Sequence, residues 1–365
     1  MDIDIDIDMD MDMDMDMDMD MDMDMDMDMD MDNLSIGIIG IGILGTAILE
    51  TLKIFNVSVK CYDKYKNFES RIDNLLDCKF IFLCLPTPYV SNAECNVEGK
   101  VEGKVEGKVE GKVECNVEGK VEGKVEGKVE GYDKRELYNV IGELDTYKYN
   151  GIIVIKSTIE PGTTEHISNL YRNLKIIHNP EFLTARTATN DFLYQSHIVL
   201  WIPVKENRIE KECYYEIILR FYKRYFPDAK ISICTSTESE CMKIACNAFY
   251  ASKIQFFTEI KLLCDCLDTD YNNVKNLMLD NGWINPMHTN VPGPDGKLSF
   301  GGACFPKDIQ ALNSFMKHLC APNQVINAVV EENKKMRDWM QVDGAGGAGC
   351  AGGAGGAGGA GGACR

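Results

Sequence analysis

The chain has no CxxC pair, no run of eighteen apolar residues and no apolar stretch behind a basic start. Each absence excludes something. Without CxxC spacing the 15 cysteines, odd in number, read as neither a zinc site nor a dithiol redox motif. They are expected to be mostly buried thiols in a reducing, cytoplasmic protein. The lack of long apolar runs leaves no membrane span to expect, and the lack of a basic start followed by an apolar region leaves no secretory leader. The net charge of −19 is misleading. The sixteen Asp at even positions from 2 to 32, with the excess of two Glu over Lys in residues 97–131, account for nearly all of it. What remains is near neutral and offers no basic field for nucleic acid.

Three segments are of low complexity. Residues 1–32 alternate Asp with Met or Ile. The period of two imitates a strand, but it would line one face with like charges, so a disordered, solvated polyanion is expected rather than a metal site. Residues 97–131 repeat Val-Glu-Gly-Lys. Glycine at every fourth position costs a helix roughly 1 kcal/mol each time, and Glu recurring at i,i+4 repels itself, so a flexible loop expansion is expected. Residues 344–363 are almost wholly Gly and Ala and read as a coil.

Between these segments short apolar runs alternate with helical spacing. Ser35–Ile39, Val57–Tyr62, Cys78–Leu85, Gly151–Ile155, Lys175–His178 and His197–Trp201 read as strands of one sheet. Helices are expected at Ile43–Phe55, Lys134–Leu144 and Thr164–Leu174. Beyond Lys205 strands become scarce, and helices are expected at Glu238–Leu267, Asn272–Leu279, Lys307–Leu319 and Pro322–Met340. The pattern is α/β, a Rossmann-type doubly wound parallel sheet followed by a mostly helical domain. The expected division is a leader at 1–32, a sheet domain at 33–203 with an insertion at 95–131, a helical domain at 204–341 and a tail at 342–365.

The first strand runs into GIGILG at 40–45 and then a helix. Gly40 permits the turn, Gly42 lets backbone approach a pyrophosphate, and Gly45 allows helix to pack on strand. The helix N-terminus then faces phosphate. Ile41 and Leu44 complete the loop. Asp63 closes the second strand, where a carboxylate suits a ribose diol and repels a 2′-phosphate, so NAD is expected over NADP.

Further segments carry chemistry: KSTIEPGTT at 156–164, NPEFLTARTA at 179–188 and FGGACFPKD at 300–308. Lys243 and Asn247 lie four apart, on one helix face. Cys304 precedes Pro306 and Lys307, so it is expected at a helix N-terminus beside a cation, both of which lower a thiol pKa. Asp308 follows one turn on.

Together these motifs resemble the UDP-glucose/GDP-mannose dehydrogenase family, from about Ser35 to Met340, with a UDP-glucose-oxidising member the nearest likeness. The resemblance implies an NAD-dependent enzyme that oxidises a nucleotide-sugar CH2OH to a carboxylate by two hydride transfers, and that dimerises through its helical region. It implies Cys304 as the nucleophile that forms a thioester, Lys243 and Asn247 as stabilisers of oxyanion charge, Asp308 positioning water or accepting a proton, and Glu181 as general base on the thioester. Thr158 would lie beside the nicotinamide, with Thr87 and Lys307 contacting the cofactor. Phe182 and Leu183 beside Glu181, the Gly293, Pro294, Asp295, Gly296, Lys297 stretch, and Gly301 would meet the sugar nucleotide. This chain departs from the family at Ala185 and Arg186, where a second Glu is usual, and at GWIN 282–285, where Arg is frequent. After Val342 the residues turn to Gly and Ala, so a chain lacking the family's C-terminal nucleotide-binding domain is expected. A binding protein without turnover, or a relative acting on GDP-mannose or a UDP-N-acetylhexosamine, are the alternative expectations.

Overall fold

The structure, a computed structural model, describes residues 34–66, 68, 71–94, 128–201 and 208–342. The Met-Asp leader, the Gly-Ala tail and residues 95–127 of the repeat region lie outside the described residues.

Five parallel strands form the central sheet: β1 (Ser35–Ile39), β2 (Ser58–Tyr62), β3 (Phe80–Leu83), β6 (Ile152–Ile155) and β7 (Lys175–His178), in the order β2-β1-β3-β6-β7. β3 and β6 are buried along their whole lengths, which is why they read as unbroken apolar runs. Helix α1 (Ile43–Ile54) and the later α5 (Arg208–Tyr225) contribute to the core on one face of the sheet, where Phe80, Phe82, Ile48, Leu52, Phe221 and Tyr222 are buried together. Helices α2 (Arg135–Thr146) and α3 (Thr163–Leu170) cover the other face with Leu137, Ile141, Leu144 and Ile167. Phe221 sits edge-on to Phe80 with ring centroids 5.1 Å apart, and truncating so buried a ring costs about 3–5 kcal/mol. The chain reverses strand order between β1 and β3, and in such sheets ligands bind at the carboxyl ends of those strands.

Two expectations need correction. His197–Trp201 forms strand β8, but β8 pairs with β9 (Lys230–Cys234) in a separate two-stranded parallel sheet rather than joining the five. Its Ile198 and Leu200 still share the apolar core under the main sheet. The repeat region, expected to be loop throughout, ends in strand: β5 (Lys128–Tyr132) pairs antiparallel with β4 (Tyr89–Glu94), with a register shift between Val90 and Ala93.

After the short α4 (Ala188–Leu193) and β9, the chain is helical. α6 (Ser236–Cys266) starts on a capping box in which Thr235 and Glu238 satisfy each other's backbone N–H. α7 (Tyr271–Asp280), α8 (Phe305–His318) and α9 (Gln324–Val342) follow. Ala248, Ala251, Phe300, Ile309 and Val330 bury against one another where α6, α8 and α9 meet. Among the described residues no helix is long and apolar enough to cross a membrane.

Glu94 and Lys128 are directly opposite in the hairpin, so replacing residues 95–127 by a two-residue Asn-Gly turn closes it. That protein is expected to melt within about 2 °C of the full chain. Extending the deletion through Gly131 removes most of β5 and is expected to lower the melting temperature by at least 5 °C. Equal melting of the two deletions, measured by calorimetry, would show that β5 adds nothing to the fold.

Candidate active site

The glycine loop has the geometry its spacing demands. Gly40 takes φ +90°, and a Cβ there would lie 2.6 Å from the carbonyl oxygen of Cys84. A Cβ on Gly45 would lie 2.1 Å from the Gly40 carbonyl oxygen, so only glycine lets α1 approach the turn. Gly42 has open space where its Cβ would be, and as N-cap of α1 it leaves the helix end without a side-chain cap. Asp63 stands just after β2 and accepts from Ile41 N at 2.7 Å and Tyr65 N at 2.9 Å. Lys66 donates to the Ile41 carbonyl. A cavity of about 560 Å³ opens here, lined among others by Gly42, Ile43, Thr46, Lys66 and Arg186. Free N–H groups at a helix end, an uncrowded glycine, a cation and a carboxylate fit a dinucleotide. Leu44 instead packs against the core, and the side chain of Ile41 is buried, so these two contribute backbone and support. Ala185 lines the same cavity, so the family's usual Glu is replaced here by a neutral wall.

The KST and NPEFL segments leave the ends of β6 and β7 and lock together. Thr87 donates to the Thr158 carbonyl at 2.7 Å, which seats both threonines beside the β3 terminus. Lys156 is buried and donates to Asn179 Oδ1 at 2.7 Å, and burial pulls its pKa down to about 8. Asn179 also accepts from the Tyr222 hydroxyl at 2.5 Å and donates to the Val199 carbonyl at 2.7 Å, tying β7 to β8 and α5. His178 lies 2.8 Å from Ser239 of α6. Glu240, fully buried on α6, accepts from Gly162 N at 2.6 Å and Thr164 N at 2.7 Å. It supplies the N-terminal cap that α3 lacks within its own sequence. Burial raises its pKa to about 7 despite these bonds.

Lys243, on α6, ion-pairs with Glu181 at 3.1 Å and also donates to its carbonyl. The other Glu181 oxygen accepts from Leu183 N at 2.7 Å. Phe182 lies flat against His197 and under the Lys243 ammonium, 5.2 Å from the ring centroid. One turn further, Asn247 donates to Asp308 Oδ2 at 2.6 Å. Lys307 donates to Asp308 Oδ1 at 2.5 Å. Cys304 is the exposed N-cap of α8, with Pro306 in the first turn one place later than expected. The charges that act on its thiol are those of Lys307, Glu181, Asp308 and Lys243. The structure thus brings Cys304, Lys243, Glu181, Lys307 and Asp308 together, with Asn247 bonded to Asp308.

The thiol itself corrects an expectation. Desolvation by the surrounding protein outweighs Lys307, and Glu181 and Asp308 act in the same upward direction, so the Cys304 pKa is raised rather than lowered.

The stretch Gly293–Lys297 is a tight turn closed by Gly293 N to the Lys297 carbonyl at 3.0 Å, with Gly296 at φ +73°. Pro294 occupies its crest. Asp295 ion-pairs with Arg337 at 2.6 Å. Arg337 also donates to the Ser299 carbonyl at 2.7 Å, and a Cβ on Gly301 would lie 2.8 Å from its guanidinium. Gly301 therefore has a packing role beside the one expected of it. Arg337, Lys66, Glu160, Glu240 and Tyr132 carry the site without having been singled out from the sequence. Glu160 lies inside KSTIEPGTT and Lys66 a few residues past Asp63; the others have no spacing or composition to mark them.

Residues 126–223 match the NAD binding domain of the UDP-glucose/GDP-mannose dehydrogenase family, and residues 237–335 match its central domain. A UDP-glucose 6-dehydrogenase of Rickettsia bellii is 35% identical over 201 residues, covering 53% of this chain and 42% of that protein. One from Streptococcus pneumoniae is 27% identical over 188 residues, 52% of this chain and 46% of that protein. The chain thus spans under half the length of these relatives. Among solved structures, a UDP-glucose dehydrogenase from Pyrobaculum islandicum superposes with TM-score 0.65 at 21% identity, covering 85% of this chain and 70% of that one. A UDP-D-ManNAc dehydrogenase from Pyrococcus horikoshii gives 0.62 at 16%, with the same coverage. At these identities the structural likeness speaks for the fold.

Burial, with smaller effects of Lys156 and Lys243, holds His178 down at about pKa 3. An unfolded His titrates near 6.5. The folded chain therefore refuses a proton that the unfolded chain takes, and stability present above pH 6.5 is lost as pH falls below it. The loss at pH 5 is about 2 kcal/mol. His178→Asn is expected to show a shallower fall of melting temperature between pH 6.5 and 4.5 than the unaltered protein; parallel curves would contradict the assignment.

Proposed function

The chain belongs to the UDP-glucose/GDP-mannose dehydrogenase family, and from that premise we propose that it oxidises the C6 hydroxymethyl of a nucleotide sugar, UDP-glucose first, to a carboxylate through a thioester on Cys304. The observation that carries this reading is the polar cluster in which Lys243 pairs with Glu181 while Asn247 and Lys307 hold Asp308 one turn inside the helix that Cys304 caps, in a chain whose glycine loop is shaped for a dinucleotide. NAD, when bound, supplies the hydride acceptor for both oxidations. Gly40, Gly42 and Gly45 shape the loop that would hold its pyrophosphate, and Asp63 would take the ribose hydroxyls and disfavour a 2′-phosphate. Thr87 and Thr158, bonded to each other past the ends of β3 and β6, would border the nicotinamide.

In this reading the Cys304 thiol adds across the aldehyde C=O formed by the first oxidation. The S–C bond forms, and the thiol proton ends on oxygen. Lys243 and Asn247 donate to that oxygen as it gains charge. The second oxidation leaves a thioester. Glu181 or Asp308 takes a proton from water as it attacks, the C–S bond breaks, and that proton passes to the departing sulfur, so the Cys304 thiol is restored while the new acid loses its remaining proton to solvent and leaves as the carboxylate. The raised thiol pKa fits addition from the protonated form. The Gly293–Lys297 turn, Gly301, Phe182 and Leu183 would border the sugar nucleotide.

The same reading includes a homodimer. Phe249, Phe256, Leu263 and Leu267 are all at least half exposed and recur at spacings of seven, seven and four along α6. Lys253 and Tyr250 tie the 282–288 loop to that helix, which places Trp283, 89% exposed, and Met287 nearby. An apolar stripe of this extent on a polar surface fits a second copy of the chain. Sedimentation is expected to give a dimer at micromolar concentration, and Phe256→Asp with Leu263→Asp a monomer. A monomer without substitution removes this part of the proposal.

Purified protein with UDP-glucose and NAD is expected to release two NADH per sugar. Cys304→Ser should stop acid formation while NAD still binds, because a hydroxyl is a far weaker nucleophile at neutral pH. Asp308→Asn should let a sugar-nucleotide adduct accumulate on Cys304, seen by intact mass. Full acid formation by Cys304→Ser would overturn the mechanism. GDP-mannose or a UDP-N-acetylhexosamine turning over in place of UDP-glucose would reassign the substrate. NAD binding without NADH from any nucleotide sugar would leave a binding protein.

A further inference from the structure

Tyr132 belongs to none of the segments that carry the proposed chemistry. It stands where the repeat meets the fold: the final unit reads Val129-Glu130-Gly131-Tyr132, with Tyr in the place that Lys takes in most of the units before it. Its hydroxyl donates to Asp308 Oδ1 at 2.5 Å across 176 residues, and both residues are buried. Its backbone N–H donates to Glu160 Oε1 at 2.6 Å, while Lys134 occupies the other Glu160 oxygen at 2.6 Å. A Cβ on Gly131 would lie 2.6 Å from Glu160 Oε1, so the repeat's glycine is what admits that bond. The ring packs with Tyr89, Ile244, Ala311 and Leu312 and carries the Lys307 ammonium 4.8 Å from its centroid.

Three groups donate to the Asp308 carboxylate. The family resemblance implies a cofactor contact for Lys307, and the proposed reaction sets Asn247 on the substrate oxygen, so neither can remain committed to Asp308 throughout. Tyr132 has no such task, and burial keeps its proton in place across any assay pH. It is also the one donor of the three that comes from the sheet side of the site. We propose that Tyr132 is the positioning residue for Asp308: its hydroxyl fixes one carboxylate oxygen, and so aims the other, while Lys307 and Asn247 exchange partners. The proposal deepens the dehydrogenase reading and rests on it.

Four full-length proteins test it: the unaltered chain, Tyr132→Phe, Asp308→Asn and the double variant, each assayed with UDP-glucose and NAD. Tyr132→Phe keeps the ring, its packing and the Lys307 contact and removes only the hydroxyl. It is expected to bind NAD normally and to hold KM within about twofold, while kcat falls about ten- to a hundredfold. The Cys304 adduct should build up as in Asp308→Asn, a signature that simple loosening of the fold would not produce. In the double variant turnover should fall no further than in Asp308→Asn alone. Unchanged kcat in Tyr132→Phe, or losses that multiply in the double variant, overturn the proposal. If the unaltered chain makes no NADH from any nucleotide sugar, the dehydrogenase reading fails by itself. The same four proteins then decide the pairing by melting temperature: shifts that do not add keep Tyr132 as the holder of Asp308, and shifts that add overturn it.

Discussion

Asp308 is a carboxylate with almost no exposed surface, and a buried charge is tolerated only where donors converge on it. Here three do, from three places in the chain: the end of a hairpin, the middle of a 31-residue helix, and the neighbouring lysine. Satisfying this one group requires the hairpin, α6 and α8 to meet at fixed distances. That meeting leaves Lys243 paired with Glu181 and Cys304 at the start of the helix that carries Asp308. Removing any single donor leaves a buried charge partly unpaired, so the constraint is strict. A second buried carboxylate, Glu240, reinforces it by capping α3 from α6, which joins the sheet to the long helix a second time.

Much of this was legible in the sequence, for identifiable reasons. Short apolar runs such as FIFL and IIVI, bounded by turn residues, suit strands covered on both faces, and in GIGILG a Cβ would strike backbone at Gly40 and Gly45 and meet open space at Gly42. Spacing puts Lys243 and Asn247 on one helix face and Cys304 and Asp308 about a turn apart, while Glu181 and the roles of all five are legible only through the motifs' resemblance to the family. Tyr132 was legible in neither way, because its role depends on a partner 176 residues away and local pattern carries no trace of that distance. β8 was assigned to the main sheet because an apolar run reports burial and not which neighbour supplies the hydrogen bonds. α5 was overlooked for a related reason: its aromatic residues face a core whose other half lies far off in sequence.

The Cys304 thiol shows where local rules fall short. A helix start and an adjacent lysine both favour a thiolate, but the surrounding protein mass and two carboxylates act the other way and prevail. A thiol that stays protonated at rest is a poorer target for oxidants than a thiolate, since susceptibility follows thiolate character. The arrangement trades standing reactivity for protection of an exposed sulfur.

The hairpin has a consequence for how this chain can vary over generations. The 33 residues between Glu94 and Lys128 are bounded by two residues that face each other across the strands. Chain-closure entropy rises with the logarithm of length, so one more four-residue unit adds only about 0.1 kcal/mol. Tandem repeats gain and lose whole units when a template is copied out of step. Here such slippage changes the length of the gene product in steps of four while the final Val-Glu-Gly-Tyr, which reaches Asp308, keeps its place.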